Sequence, residues 1–499
     1  MMNVRYKSTR GNGSTVSASQ AILKGMPDDG GLFVPLEIPK LGLDISDLAK
    51  MNYRETAFEV MKLFLTDFTE DELKSCIAKA YDEKFDTEEI VSVKDRDGAF
   101  YLELFHGATI AFKDMALSIL PHLMTTAVRK NHIKNDIVIL TATSGDTGKA
   151  ALAGFADVPG TKVIVFYPKD GVSPVQERQM VTQKGSNTYV VAIRGNFDDA
   201  QSGVKRILED TKLSKDLDEK GFQFSSANSI NIGRLVPQIA YYVYAYASLV
   251  RSGKVRKGEK INVAVPTGNF GNILAAFYAK NMGLPIAKLI CASNENKVLC
   301  DFFHTGCYDK NRKFILTSSP SMDILISSNL ERLIYMISGS EEKNKKLMKE
   351  LSQKGSYEID EKMREKLQDF YSNYATEEET GSAIKKMYED TGYVLDPHTA
   401  VASTVYDKYR SETKDDTPTL IVSTASPYKF AGSVLHAISS DKFEGLTDKE
   451  QIHALQEIAG GTIPNAVKEI FDAPVLHSTA ADATDMEKTV RGIILKEGR

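Results

Sequence analysis

The chain has 499 residues, of which 42% are hydrophobic and 26% are charged, and its formal net charge at pH 7 is −5. This length predicts about three domains, and the lack of a basic block argues against nucleic acid or an anionic membrane surface as a partner. The longest apolar run, residues 239–250, is too short to cross a bilayer and is typical of a buried helix.

The cysteines bear on the cellular compartment and on a metal site. They form no disulfide framework in a chain of this length, which favours a reducing compartment; they are Cys76, Cys291, Cys300 and Cys307. Cys300, His304 and Cys307 share one short segment, but no fourth ligand lies nearby in the sequence, so we predict no metal site.

Residues 1–27 are basic and contain no acidic side chain, a composition that organelle presequences also have. They contain no apolar core of a secretion signal, and residues 4–9 alternate as a strand does. We therefore interpret this segment as part of the folded protein and expect a cytoplasmic location.

The predicted N-terminal unit begins with a strand and continues with helices. A short helix is predicted at 17–23, and apolar residues recur at helical spacing over 48–64 and 69–80. Thr69 and the three acidic residues after it are typical of a capped helix start.

Apolar strands alternate with helices from residue 96 onward. The predicted strands are residues 99–105, 136–143, 161–167, 188–193, 261–265, 288–293 and 419–423, and the predicted helices are residues 114–130, 147–155, 172–183, 198–209, 233–250 and 272–280. This alternation predicts an α/β fold with two open, twisted, parallel-type sheets and helices on both faces. Such folds bind ligands at the carboxyl ends of their strands.

These patterns predict three domains. Residues 1–95 form the N-terminal domain, residues 135–224 form a small α/β domain, and residues 96–134 together with 225–499 form a large domain. Within the large domain, residues 338–392 are rich in charge and are predicted to be a helical insertion, with helices at 341–353 and 358–371.

A single lysine lies in the nearly uncharged stretch FHGATIAFKD, residues 105–114, between a predicted strand and a predicted helix. Burial among apolar groups lowers the pKa of a lysine, so Lys113 can act as the free amine of Schiff-base chemistry. A lone lysine at such a position is also compatible with a side chain that extends to solvent. The assignment therefore depends on the motifs that follow.

The segment PTGNFGN, residues 266–272, follows a predicted strand and opens a predicted helix. Gly268 and Gly271 permit a tight turn, and the free amides of a helix start suit a phosphate. The segment matches neither G-x-G-x-x-G nor a Walker loop, and a simple strand-to-helix turn is the alternative.

The segment TATSGDTGKA, residues 141–150, occupies the same kind of position. A Walker A loop would require Gly in place of Thr143 and Ser or Thr in place of Ala150. The hydroxyl groups and the helix amides instead predict a cradle for a small anion such as a carboxylate.

The segment STAS, residues 423–426, ends the last predicted strand. A hydroxyl there can bond a neutral ring nitrogen, and a Ser/Thr turn is the alternative. A shielded lysine, a phosphate cradle, a carboxylate cradle and a strand-end hydroxyl together compose a site for pyridoxal 5'-phosphate.

At these motifs the sequence resembles the threonine synthase family of pyridoxal-phosphate enzymes, which have the tryptophan-synthase-β-like fold, called fold type II. The resemblance covers most of the chain, from DGGLFVP at 29–35 through the motifs above to SMD at 321–323, SNLER at 328–332 and DPHTA at 396–400. The SMD and DPHTA segments are specific to the family, whereas dehydratases and sulfhydrylases share the other motifs in looser form.

The resemblance implies that Lys113 is the Schiff-base lysine and that Thr424 contacts the pyridine nitrogen. The cofactor phosphate would be held by Gly268, Asn269, Phe270, Gly271 and Asn272. The implied reaction is the last step of threonine biosynthesis, in which O-phospho-L-homoserine and water give L-threonine and phosphate. It is a γ-elimination followed by a β-hydration: Lys113 would move protons at Cα and Cβ, phosphate would leave from Cγ, and water would add at Cβ.

Further candidate residues surround the substrate. Arginine binds phosphate bidentately, so Arg234 and Arg332 are the candidate cations; the other candidate substrate ligands are Ser144, Thr147, Asp323 and Asn329. Asp146 lies where related enzymes often carry Asn near the 3′-oxygen of the cofactor, so it is either protonated or faces the substrate. Lys149 and His106 border the same motifs, and for His106 a packed, hydrogen-bonded histidine is the alternative.

Other functions remain open from the sequence. Another fold type II lyase, such as a serine/threonine dehydratase or a cysteine synthase, shares the looser motifs, but residues 321–332 and the N-terminal unit argue against it. A non-catalytic protein that binds the cofactor for signalling or scaffolding would need no second anion cradle. The sequence leaves both a monomer and a homodimer possible.

Overall fold

A computed structural model describes residues 3–11, 14–143, 145–169, 171–440, 442–468 and 470–496. The N-terminal unit contains β1 (Tyr6–Ser8), α1 (Ala18–Lys24), β2 (Phe33–Pro35), α2 (Ile45–Leu48), α3 (Tyr53–Phe64) and α4 (Glu70–Ala80). Side chains cap most of these helices; Ser17 and Thr69 both form capping boxes, which explains why α1 and α4 begin where the sequence predicts.

The α/β part begins with β3 (Ser92–Arg96), β4 (Ala99–Glu103), α5 (Asp114–Leu117) and α6 (Leu120–Lys130). It continues with β5 (Asp136–Ala142), α7 (Asp146–Phe155), β6 (Thr161–Pro168), α8 (Pro174–Val181), β7 (Thr188–Arg194), α9 (Phe197–Glu209), α10 (Thr211–Asp218) and β8 (Phe222–Ser225).

The next elements are α11 (Ile232–Arg251), β9 (Ile261–Pro266), α12 (Gly271–Met282), β10 (Ile286–Ser293), α13 (Val298–Thr305), β11 (Cys307–Asp309), α14 (Leu330–Ser338), α15 (Glu341–Lys354), β12 (Ser356–Glu358), α16 (Glu361–Glu365) and β13 (Phe370–Tyr374). The chain then forms α17 (Glu377–Thr391), α18 (Pro397–Thr413), β14 (Thr419–Ser423), α19 (Ala431–Ser439), α20 (Asp448–Ala459), α21 (Asn465–Lys468), β15 (Thr479–Asp482) and α22 (Met486–Lys496). Short 3-10 turns lie at Pro320–Met322, Pro427–Phe430 and Ala483–Asp485. No helix in these ranges is long and apolar enough to cross a membrane.

The larger sheet has six strands in the order β13-β10-β9-β14-β4-β3, and only β3 runs antiparallel to its neighbour. The central strands β9 and β14 are buried along their whole length. Successive residues of β9 enter two different hydrophobic cores, Val263 with the α11 and α12 helices and Ala264 with α18. Both faces of this sheet are therefore covered, as parallel sheets require.

The smaller sheet has five parallel strands in the order β15-β7-β6-β5-β8. Its first strand, β15, comes from the C-terminal part of the chain, and α22 shares a hydrophobic core with α9 and this sheet. The predicted range of the small domain, 135–224, did not include this C-terminal segment.

The N-terminal unit packs on the larger sheet through aromatic side chains. Tyr53 of α3 lies edge-on to Tyr244 of α11 with ring centroids 5.5 Å apart, and Phe64 stacks on Tyr278 of α12 at 6.3 Å. These residues belong to one hydrophobic core, so the unit fixes the two helices against which the site described below is built.

Two predicted helices are each divided in the structure. The predicted helix 48–64 becomes α2 and α3, because Asn52 accepts a hydrogen bond from the Glu55 amide and starts a new helix. The predicted helix 114–130 becomes α5 and α6, because Pro121 has no amide to continue the hydrogen-bond series across Leu117.

The predicted helix 358–371 is wrong. Only Glu361–Glu365 is helical, and the aromatic segment FYSNY forms β13, which pairs in parallel with β10 at the edge of the larger sheet. Aromatic residues favour strands that are partly buried. The region 338–392 is therefore not a purely helical insertion, since it supplies a strand of the main sheet.

Candidate active site

Three neighbouring strands of the larger sheet, β9, β14 and β4, end at one edge. The segments that follow them are residues 267–270, residues 424–426 and residues 104–113. Parallel strands bring their carboxyl ends together, and α/β folds bind ligands at that edge. All three predicted motifs of the larger sheet are thus brought together.

Lys113 directly precedes α5, and its side chain is 11% exposed. Its Nζ atom donates to Ser321 Oγ at 3.0 Å and to Asp146 Oδ2 at 3.2 Å. Burial lowers the pKa of Lys113; the Asp146 carboxylate opposes this shift, and the nearby Lys429 ammonium adds to it. The site therefore contains a buried amine whose charged form is disfavoured.

Hydrogen bonds hold the Lys113 segment against the end of β14. Phe112 donates its amide to the Thr424 carbonyl at 2.8 Å. Thr109 donates its amide and its hydroxyl to the Asp114 carboxylate, at 2.8 and 2.6 Å. Thr424 therefore lies beside the lysine, and it is itself buried.

Asp146 joins the two sheets. Its Oδ2 accepts from Ser321 Oγ at 2.8 Å and from Lys113, and its Oδ1 accepts from Gln176 Nε2 at 2.9 Å and from Lys429 Nζ at 3.0 Å. Burial raises the pKa of Asp146, but the charges of Lys429 and Lys113 outweigh burial and hold this pKa well below its usual range. Of the two alternatives for Asp146, the protonated form is therefore not supported.

The turn between β9 and α12 leaves the start of α12 without a side-chain cap. Phe270 is in the left-handed conformation, with φ of 62°, and its side chain has no acceptor for a helix amide. A Cβ atom at Gly268 would overlap the main-chain oxygen of Ser321, so only glycine fits there. Asn329 supports the turn, because its amide and its Nδ2 both lie 3.0 Å from the Asn269 carbonyl oxygen. Helix-start amides of this kind bind anions.

Asn272 lies in the first turn of α12 with its amide group held in one orientation. The hydroxyl groups of Tyr241 and Tyr242, on α11, each lie 2.5 Å from its Oδ1 atom. Its Nδ2 atom is buried and has no hydrogen-bond partner within the described ranges. Leaving such a donor unpaired costs about 1–3 kcal/mol, so this atom suits a ligand that accepts a hydrogen bond.

Arg332 was predicted to bind the substrate phosphate, but its hydrogen bonds are with protein acceptors. Its side chain is fully buried; Nε donates to the Phe33 carbonyl at 2.9 Å, and the other nitrogens donate to Asn329 Oδ1 and the Ile230 carbonyl. The prediction that Arg332 binds the substrate phosphate does not fit this geometry, because each guanidinium nitrogen already has a protein acceptor. Arg332 instead holds strand β2 and the start of α14 together, and Asn329 acts with it as a support of the turn.

Asp323 also has a structural position. It accepts hydrogen bonds from Asn294 at 2.8 Å, from Asn296 at 2.9 Å and from Thr317 at 2.7 Å. These bonds fix the turn that carries Ser321. The prediction that Asp323 contacts the substrate does not fit, since its carboxylate is engaged by this turn.

Arg234 is buried at the start of α11. One Nη atom donates to the Ala227 carbonyl at 2.7 Å, whereas Nε is buried and has no partner in the part of the chain that the structure describes. Burial lowers the pKa of Arg234 to about 10, and its charge is among those that lower the pKa of Lys113. Arg234 therefore retains an unused donor in the surroundings of Lys113.

The turn before α7 is organised by a residue that the sequence did not single out. Thr143 accepts hydrogen bonds through its hydroxyl from the amides of Gly145 and Gly148, both at 2.9 Å. Thr147 is half-buried in the first turn of α7. Ser144 lies outside the described residues.

Lys149 and His106 both have protein partners. Lys149 donates to Gln183, and burial lowers the pKa of Lys149 to about 8. His106 lies between two carboxylates, with Nδ1 2.6 Å from Asp86 Oδ1 and Nε2 3.2 Å from Glu103 Oε2. It is the packed, hydrogen-bonded histidine that the sequence left as an alternative.

Sequence reasoning missed several side chains that contact the site: Gln176, Ser321, His398 and Lys429. His398 accepts a hydrogen bond from the Ser321 amide at 3.2 Å through Nε2, and its Nδ1 lies 2.8 Å from Asp396. The DPHTA segment therefore fixes the turn that touches Lys113. Lys429 could have been found from the sequence, because it is a lysine among mostly apolar residues in the segment SPYKF, residues 426–430, as Lys113 is in its own segment.

The segment with Cys300 and His304 does not assemble a metal site. Cys300 Sγ lies 3.8 Å from His304 Nδ1. No group of three or more His, Cys, Asp or Glu side chains that could hold a metal ion occurs within the described ranges.

Comparison with known proteins places the chain in a family. The profile described as Pyridoxal-phosphate dependent enzyme matches residues 94–425, Threonine synthase N terminus matches residues 5–81, and Threonine synthase, C-terminal matches residues 399–491. The sequence is 38% identical to Threonine synthase of Schizosaccharomyces pombe over 90% of this chain and 94% of that protein.

Two further relatives bear on length and on fold. Threonine synthase-like 1 of Macaca fascicularis is 40% identical over 88% of this chain, but the match spans only 60% of that longer protein. The crystal structure of pyridoxal-phosphate-bound threonine synthase from Brucella melitensis has a TM-score of 0.87 and 33% identity, and it covers 98% of this chain and 99% of that chain. This likeness confirms the predicted fold type II architecture. The chain belongs to the threonine synthase family of pyridoxal-phosphate-dependent enzymes.

Proposed function

We propose that the chain is a threonine synthase that converts O-phospho-L-homoserine and water into L-threonine and phosphate. The observation that carries this proposal is the position of Ser321. Its hydroxyl bonds the buried amine of Lys113, and its main-chain oxygen lies against Gly268 in the turn that opens α12. A reactive amine and an anion-binding helix start are therefore adjacent, as a phosphorylated cofactor requires.

The residues present fit pyridoxal 5'-phosphate. The buried Nδ2 of Asn272 has no partner among the described residues, and the uncapped start of α12 offers amides beside it. Lys113 would hold the cofactor through its amine, residues 268–272 would hold its phosphate, and Thr424 would contact its ring nitrogen. When bound, the cofactor supplies an electron-withdrawing ring that stabilises negative charge at the substrate carbons.

Lys113 then acts as the acid and base of the reaction. As a free amine it removes one proton at Cα and one at Cβ of the substrate, and as an ammonium group it delivers one proton to Cγ, once the phosphate has left, and one back to Cα. Burial lowers the pKa of Lys113, which favours the free amine that the base role requires. The phosphate leaves from Cγ, and water adds at Cβ.

The substrate phosphate needs a cationic side chain that still has a hydrogen-bond donor to offer. The buried Nε atom of Arg234 has no hydrogen-bond partner among the described residues, and the charge of Arg234 lowers the pKa of Lys113. We assign the substrate phosphate to Arg234, and we assign the substrate carboxylate to Thr147 in the first turn of α7, together with Ser144, which lies outside the described residues. Desolvated arginine is a strong phosphate ligand because its charge and its donors act together.

In this proposal the chain is divided into three domains. We retain an N-terminal domain at 1–95, a small domain at 135–224 and a large domain formed by 96–134 and 225–499, with residues 479–496 packing on the small domain. The protein would act as a monomer or a homodimer in the cytoplasm. The four free cysteines, three of them buried, are consistent with a reducing compartment.

The test is a phosphate-release assay on purified protein loaded with the cofactor, with O-phospho-L-homoserine as substrate and detection of threonine. We expect release, a visible absorption band of the bound cofactor, and the loss of both in Lys113→Ala. A band without release would reject the substrate, and release of a keto acid from serine or threonine would indicate a dehydratase. A wild-type protein without a band would reject the cofactor site.

A further inference from the structure

Lys429 is a second lysine of the site, and the proposed reaction leaves it without a role. It lies in the 3-10 turn Pro427–Phe430 directly after β14, and its side chain is 0% exposed. Its Nζ atom lies 3.0 Å from Asp146 Oδ1 and donates to the Thr109 carbonyl at 2.9 Å. An ammonium group is thus held on the side of Asp146 opposite to Lys113, which contacts Oδ2.

This arrangement keeps a cation beside the buried Asp146 carboxylate when Lys113 is neutral. When Lys113 is a neutral amine, the Asp146 carboxylate loses one of its two cations while it stays buried. A buried carboxylate that loses a cationic partner is strongly disfavoured, so the aspartate would then draw a proton back onto Lys113. The Lys429 side chain, 3.0 Å from Asp146 Oδ1, supplies a second positive charge and so reduces the pull of Asp146 on that proton.

We propose that Lys429 is a positioning residue for the reaction, and that it carries the fixed positive charge that keeps Asp146 ionised while Lys113 changes between amine and ammonium. This inference rests on the proposed role of Lys113 as the cofactor lysine. It concerns the charge of Lys429, whose partners among the described residues are the Asp146 carboxylate and the Thr109 carbonyl.

Other charged groups also influence the pKa values of Lys113 and Asp146. Lys113 is faced by Asp146, Lys429 and Arg234. Asp146 is also influenced by His398 from α18, and Lys429 acts on both Asp114 and Lys149. The substitutions proposed below leave Arg234, His398, Asp114 and Lys149 unchanged, so the charges of these four residues are common to every variant.

The experiment is a pH titration of the visible absorption band of the cofactor-loaded protein, together with the pH profile of kcat. Lys429→Met removes the charge, Lys429→Arg keeps it, and Lys429→Met combined with Asp146→Asn removes both charges. We expect the titration midpoint of Lys429→Met to rise by about 1–2 pH units, since a neighbouring charge shifts a pKa by this amount. Lys429→Arg should shift it far less, and the double variant should return it towards the wild-type value.

A matched control is Lys280→Met. Lys280 forms a lysine–aspartate pair with Asp369 at 3.0 Å, at the start of β10 and hence at the opposite edge of the sheet. Its removal should leave the midpoint unchanged. If Lys429→Met does not fold, Lys429→Gln removes the same charge with a polar side chain, and it should raise the midpoint in the same way.

The outcomes separate the two proposals. A normal band in the wild-type protein with an unchanged midpoint in Lys429→Met, or a loss of kcat that is equal at every pH, would overturn the role of Lys429 only. A wild-type protein without a band would overturn the proposed cofactor site itself, whatever Lys429 does.

Discussion

The hydroxyl of Tyr242 lies 2.5 Å from the Oδ1 atom of Asn272, and both side chains are buried between α11 and α12. Tyr241 contacts the same oxygen at 2.5 Å, so the two hydroxyl groups saturate one end of the amide. The other end, Nδ2, is the buried donor without a partner in the described ranges. The tyrosines therefore aim Asn272 at the anion that the start of α12 would bind.

Removing either hydroxyl should weaken cofactor binding. Tyr242→Phe leaves Asn272 Oδ1 with one donor and lets the amide rotate, which should raise the cofactor Kd by about tenfold, equivalent to about 1.4 kcal/mol. The measurement is a fluorescence titration of apo-protein with pyridoxal phosphate. Tyr278→Phe is the matched control, because Tyr278 is equally buried and its hydroxyl has no partner among the described residues. Equal Kd values for the two variants would contradict the role of Tyr242.

Arg332→Met should act through the support of the turn and not through the substrate. Loss of the guanidinium leaves the Phe33 and Ile230 carbonyls and Asn329 Oδ1 without their donor. Each unsatisfied buried acceptor costs about 1–3 kcal/mol, so we expect a clear fall in the apparent Tm and a raised Kd for the cofactor. Substrate KM, measured at saturating cofactor, should change much less. A rise in KM without a change in Tm would restore Arg332 as a substrate ligand.

Gly268→Ala should abolish cofactor binding without unfolding the protein. A Cβ atom there overlaps the Ser321 main-chain oxygen, so the turn must move away from the residue that bonds Lys113. Gly381→Ala is the control: it lies inside α17, where the added Cβ atom meets only Ala437 at 3.9 Å. Alanine favours a helix interior by up to about 1 kcal/mol relative to glycine. Cofactor absorbance and far-ultraviolet circular dichroism would separate the two effects, and normal absorbance in Gly268→Ala would disprove the close contact.

The larger part of the fold could be predicted from the sequence because the strands that carry the site are central. β9 and β14 are mostly apolar and buried at every position, and their bounds differ little from the predicted ones. β13 was missed because it is an edge strand in a charged region, and only its pairing with β10 makes it a strand. Local patterns indicate buried elements well and edge elements poorly, because the pairing that defines an edge lies far away in sequence.

The site divides in the same way. Lys113 and the turn at 268–272 could be predicted, since each is a local motif at a strand end. The contacts of Arg332 could not be predicted, because Phe33, whose carbonyl accepts from its Nε atom, is 299 residues away in the chain. Lys429 and Asp146 are 283 residues apart in the chain. The role proposed for Lys429 depends on the contact between its Nζ atom and the Asp146 carboxylate. Contacts between residues distant in sequence, rather than residue type, determine which side chains are available to bind substrate or cofactor and which hold the protein turn in place.

His106 should make the stability of the protein depend on pH above neutrality. Burial lowers the pKa of His106, but hydrogen bonds to Asp86 and Glu103 outweigh burial and raise the pKa to about 9. The unfolded value is about 6.5, so the folded state binds the proton more tightly than the unfolded state does. The stabilisation is therefore complete below about pH 6.5 and is lost as pH rises through 9.

The size of this effect is on the order of 2 kcal/mol, because a shift of one pKa unit corresponds to about 1.4 kcal/mol and the side chain is partly exposed. Thermal unfolding of the wild-type protein should show a fall in apparent Tm between pH 6.5 and 9 that is absent in His106→Gln. His436→Gln is the control, since His436 is exposed on α19 and should leave the pH dependence intact. A parallel pH dependence in wild type and His106→Gln would mean that the imidazole is neutral between its two carboxylates.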